Sequence, residues 1–178
     1  MRIEIPHLAV TDDDVKQIDE IVRDVARWNR NGYAHREVLL FTSDITLVRE
    51  TKVRVRKDYH KSLGWCWFAG TNRGLESKVC WVKPGQAPVV ELETVVHELV
   101  HAYSGTTISH EQAFRRFCTI ATCAVFDAFP TIGGVPTVVG YQQFAEELCG
   151  LYQRYSHSNP YEADRHVQAY KDYKGSAE

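Results

Sequence analysis

The run between residues 88 and 105 constrains the fold most, because its apolar side chains recur at helical and not at strand spacing. Leu92, Val95, Val96, Leu99, Val100 and Tyr103 fall three and four apart, marking one face of a helix that stops at Gly105. The preceding Lys83-Pro84-Gly85-Gln86-Ala87-Pro88 reads as the turn leading into it. Within this largely apolar helix stand His97, Glu98 and His101. At about 3.6 residues per turn, positions four apart lie about 40° apart, so both imidazoles project from one face, one turn apart. Two nitrogens so placed can share one metal ion. Glu98 lies about 100° from His97 and about 60° from His101, which sets its carboxylate beside the ion without making it a ligand.

The remaining pattern divides the chain into a helix, a set of short strands and further helices. Val15, Ile18, Ile21, Val22, Val25 and Trp28 recur at helical spacing between Thr11 and Arg30, with Asp12 to Asp14 where a helix start favours negative charge. Strand-like runs follow at Val38 to Thr42, Ile45 to Arg49, Lys52 to Arg56, Trp65 to Ala69 and Lys78 to Lys83, broken by Ser, Asp, Gly and Asn. Helices are predicted from His110 to Ala128, Gln142 to Tyr155 and Tyr161 to Tyr173. The fold expected is α+β: a small, mostly antiparallel sheet packed on the His97–His101 helix, with additional C-terminal helices, in a single domain over residues 1–178.

Charge and cysteine usage narrow the setting. With 21 basic and 23 acidic side chains, the molecule as a whole has no field that would hold nucleic acid, so such a partner is possible but not indicated. Arg49, Lys52, Arg54, Arg56, Lys57 and Lys61 could form a local binding stripe, but their alternation with Val53 and Val55 reads first as the wet face of a half-buried strand. Five cysteines, Cys66, Cys80, Cys118, Cys123 and Cys149, contain no CxxC pair and point to reduced thiols, not a disulfide framework. No apolar run reads as a signal peptide or a membrane span, and a soluble, cytoplasmic protein is expected.

The His97-Glu98-Leu99-Val100-His101 pattern suits zinc chemistry. Zinc lowers the pKa of a bound water towards ~7 and polarises a carbonyl, so no serine or cysteine nucleophile is needed. Glu98 would serve as general base, taking a proton from that water and passing it to the leaving amine. A catalytic zinc generally has three protein ligands and an open position. His110 is the best third ligand, because Gly105 can end one helix and Ser109 with Gln112 can form a capping box that starts the next. Glu111 and Glu162 are its rivals, Glu162 falling in the first turn of a helix after Asn159-Pro160. Tyr103, Tyr141, Tyr155 and His157 are candidates for oxyanion support that sequence does not separate. His7, His35, His60 and His166 read as surface or packing residues.

The segment from Glu93 to Ala102, followed by Ser109-His110-Glu111-Gln112-Ala113-Phe114, resembles the SprT-like and WLM zinc metallopeptidases, whose pattern is HExxH, a short spacer and His-x-x-x-Phe. The resemblance implies a zincin-like fold, His97, His101 and His110 as zinc ligands, Glu98 as catalytic base and Phe114 as a packing residue. It also implies a protein or peptide substrate that adds as a strand to the sheet edge near Lys78 to Val82. Metzincins do not fit, since Ser104 and Thr107 stand where their glycine and third histidine would be, and Met1 is the only methionine. Glu111 replaces a glycine common among SprT-like proteins, and the family's four-cysteine zinc ribbon has no counterpart, so the family's DNA-associated role is not implied by the resemblance.

A zinc-dependent metallopeptidase is therefore the function expected. Two alternatives differ in class: a non-catalytic zinc module that contacts nucleic acid through the Arg49 to Lys61 strip, and a zinc hydrolase acting on a non-protein amide.

Overall fold

The computed structural model describes residues 9–32, 45–48, 63–69, 77–83, 85–104, 110, 112–137 and 162–176. Among them are four helices, α1 (Asp12–Gly32), α2 (Pro88–Ser104), α3 (Gln112–Ala128) and α4 (Glu162–Gly175). Five strands accompany them: β1 (Ile45–Val48), β2 (Gly64–Ala69), β3 (Ser77–Val82), β4 (Thr131–Ile132) and β5 (Val135–Pro136). The architecture is α+β. The expected strands at Val38 to Thr42 and Lys52 to Arg56, the helix at Gln142 to Tyr155 and the basic strip from Arg49 to Lys61 lie outside the described residues.

α1 begins with a capping box that the acidic run only partly announced. Thr11 Oγ1 accepts from the Asp14 amide at 3.2 Å while Asp14 Oδ2 accepts from the Thr11 amide at 2.8 Å, so two amides without helical partners are satisfied reciprocally. Its apolar stripe, Ile18, Val22, Val25 and Ala26, is fully buried against α2 and α3. α2 opens on Pro88, whose fixed φ and missing N–H suit a first helical position. From Leu92 to Tyr103 it is buried on nearly every side, by α1 and α3 on one flank and by β2 and β3 on the other. Each buried Val or Leu there stabilises the fold by about 1.5–3 kcal/mol.

The larger sheet has the order β1-β3-β2 and is mixed. β2 pairs antiparallel with β3, setting Cys66 opposite Cys80, whereas β1 pairs parallel with β3, Thr46 beside Val79. The longer of the two pairings is antiparallel, as expected, and the shorter one is parallel. β3 is the central strand, with both edges engaged, so Lys78 to Val82 is not the sheet edge at which a substrate could add. Strand order is set by pairing across the chain, which local alternation does not encode. Gly133 and Gly134, with φ of 55° and 77°, form the two-residue turn of the β4–β5 hairpin, where a left-handed backbone matches strand twist.

α4 closes over α3, where Asp127 accepts from the Tyr170 hydroxyl and from Lys174 Nζ. None of the described helices is long and apolar enough to cross a membrane.

Candidate metal centre

α2 supplies two of the three histidines and the approach to α3 supplies the third. His97 and His101 stand one turn apart, ring centroids 4.8 Å from each other, and His110 reaches them from just before α3. Their Nε2 atoms form a nearly equilateral triangle with sides of 3.1, 3.1 and 3.2 Å. A ring nitrogen carries one proton or one lone pair, so three of them cannot satisfy one another pairwise. Ligands about 2.05 Å from a tetrahedral ion are separated by about 3.3 Å, close to the spacing seen. His97, His101 and His110 thus form a group that could hold a metal ion.

One aromatic ring supports all three. Phe114, in the first turn of α3, lies with its centroid 5.2 Å from His97, 4.3 Å from His101 and 5.0 Å from His110. It is the packing residue that the sequence suggested. Burial, then the neighbouring His101 and His110, holds the His97 pKa well below the usual histidine value. Burial, then Arg115, lowers that of His110. Both shifts favour neutral imidazole, the form that binds metal.

Glu98 turns towards the sheet. It is buried, and that burial, followed by proximity to Cys66, raises its carboxyl well above the ordinary range. The carboxyl lies against the β2 backbone: a methyl group added at Gly64 would come within 2.6 Å of Glu98 Oε1. Gln86 fastens this junction. Its Nε2 donates to the carbonyls of Leu63 and Lys83, at 3.1 and 2.7 Å, and its Oε1 lies 3.0 Å from the Thr94 hydroxyl on α2. Cys80 adds a thiol donated to the Glu98 carbonyl at 3.4 Å, with Cys66 Sγ 3.6 Å away.

Three residues near the histidines and Glu98 were not singled out from sequence. Gly64 read only as a break before a strand. Cys118 Sγ sits 4.0 Å from His97 Nδ1, and burial keeps its thiol protonated far above the ordinary range. Arg115 is buried and donates to the His110 carbonyl. The helical step from Phe114 to Cys118 was a usable signal; the contact across to α2 was not.

Tyr103 is not an oxyanion candidate in this structure. Its hydroxyl donates to Asp19 Oδ1 at 2.5 Å and accepts from Arg23 Nε at 3.2 Å, which commits it to α1. His166 is a packing residue, 2% exposed, with Nδ1 3.5 Å from Thr119 Oγ1. Tyr141, Tyr155, His157, Glu111, Ser109 and the Glu162 side chain lie outside the described residues, although α4 does begin at Glu162.

No family model, curated protein or solved structure matches this chain. The functional reading therefore rests on the residues themselves.

Proposed function

We propose that the chain is a zinc-dependent metallopeptidase of zincin-like, SprT-like character, with His97, His101 and His110 as ligands and Glu98 as general base. The observation that carries this reading is the Nε2 triangle, three nitrogens 3.1–3.2 Å apart and backed by Phe114. Three protein ligands are the number that catalytic zinc sites use, the fourth position being left for reaction. Bound zinc would supply Lewis acidity towards a carbonyl and an attacking water acidified to near neutrality.

The protein's own part is proton handling and orientation. Glu98 takes a proton on its carboxylate from the attacking water and returns it to the leaving amine nitrogen. The absence of a side chain at Gly64 leaves room for this carboxyl beside β2. An extended peptide would run along β2, the strand whose backbone meets Glu98.

Metal analysis of the wild type, Glu98→Gln and His110→Ala, together with a chelator-sensitive assay on unfolded proteins, tests the reading. Glu98→Gln is expected to keep stoichiometric zinc and lose about 10²–10⁴-fold in hydrolysis. His110→Ala is expected to lose the metal. An active Glu98→Gln protein would sink the proposal.

A further inference from the structure

Arg115 is 3% exposed, and its Nη1 donates to the main-chain carbonyl of His110 at 2.6 Å. A guanidinium taken out of water is costly unless its donors are satisfied, so the groups that it grips are held firmly. Here one of those groups belongs to a residue of the histidine triangle. His97 and His101 sit within α2, whose hydrogen-bond ladder fixes their backbone. His110 lies just before α3, outside both helices.

We infer that Arg115 is a positioning residue for the metal site, fixing through the His110 carbonyl the direction in which the His110 imidazole enters the triangle. A swing of about 10° at the backbone would carry the ring tip on the order of 1 Å, several times the tolerance of about 0.2 Å on a metal–ligand distance. The charge of Arg115 opposes a nearby metal cation, so its contribution comes from the geometry of its donors. Its charge is also felt by His166 on α4. The inference rests on the metal reading above.

The test compares zinc affinity, by chelator competition, and the visible spectrum of the Co2+ form in wild type, Arg115→Met and Arg115→Lys. Methionine keeps much of the stem without a donor, and lysine restores a donor on a stem of similar reach. Arg115→Met is expected to bind zinc about 10–100-fold more weakly with shifted Co2+ bands, and Arg115→Lys to stay within about threefold of wild type with its bands in place. Wild-type affinity in Arg115→Met overturns the inference, and so does a lysine variant as weak as the methionine one. If Arg115→Met does not fold, Arg115→Lys decides alone: unchanged Co2+ bands support the inference and shifted bands overturn it. A wild-type protein that binds no divalent metal removes the metal reading and this inference together, whereas tight binding in both wild type and Arg115→Met removes this inference only.

Discussion

At Gly64 the room for a side chain is already occupied. A methyl there would meet Glu98 Oε1 at 2.6 Å and Thr94 Cγ2 at 2.7 Å, both closer than carbon contacts allow. Gly64→Ala must therefore move the carboxylate, and misplacing a reacting group by about 1 Å costs on the order of 10²-fold in rate. The expected outcome is a lowered kcat with unchanged zinc content, and wild-type kcat would contradict the proposed role of Glu98. His166 offers a test by pH. Burial, followed by Arg115 and Arg116, lowers its pKa to about 4 from an unfolded value of 6.5. The unfolded chain then binds the extra proton first, so the contribution of His166 is intact above pH 6.5 and is lost as pH falls towards about 4. The loss is on the order of 3 kcal/mol. Denaturant titrations of the metal-free protein should show a shallower acid decline in His166→Gln. At this scale His97, His101 and Glu98 were legible because helical spacing alone puts them on adjoining faces, whereas His110 was reached through the helix-end signals at Gly105 and Ser109. Gly64, Arg115 and Cys118 were not, since what makes them matter is an atom brought near by folding.

Between elements, Gln86 makes a polar link across the junction of sheet and helix. Gln86 spans Leu63, Lys83 and Thr94, joining the start of β2 and the end of β3 to α2. Gln86→Ala removes these bonds, each worth about 1 kcal/mol, and should lower the urea midpoint by the equivalent of about 2–3 kcal/mol with the zinc stoichiometry unchanged. An unchanged midpoint would show that packing alone joins sheet to helix. The elements were legible in proportion to how local their signals are. α1, α2 and α3 follow from apolar period and end signals, and β1, β2 and β3 fall within a residue or so of the alternating runs. The order β1-β3-β2 and the parallel β1–β3 pair did not follow, because a strand's neighbours are chosen by surfaces far away in sequence. The β4–β5 hairpin was hidden behind Gly133-Gly134, which reads equally well as a helix stop.

Across the whole molecule, an ion held at the histidine triangle would couple to the fold. Ligands from α2 and from the approach to α3 meet at one point, so an ion held there ties two helices that otherwise touch through side chains. Chelation should lower the melting temperature. At free zinc 1,000 times its Kd the ion contributes about 4 kcal/mol, lost on treatment with a strong chelator and restored on adding zinc back. A melting temperature indifferent to chelator would mean that the native protein holds no ion there in preference to the unfolded chain. Phe114 makes the response collective. Because Phe114 lies on α3 and touches all three imidazoles, a shift of α3 against α2 is felt at His97 and His101 as well as at His110. The spacing of the three Nε2 atoms would then register how closely the two helices are pressed together.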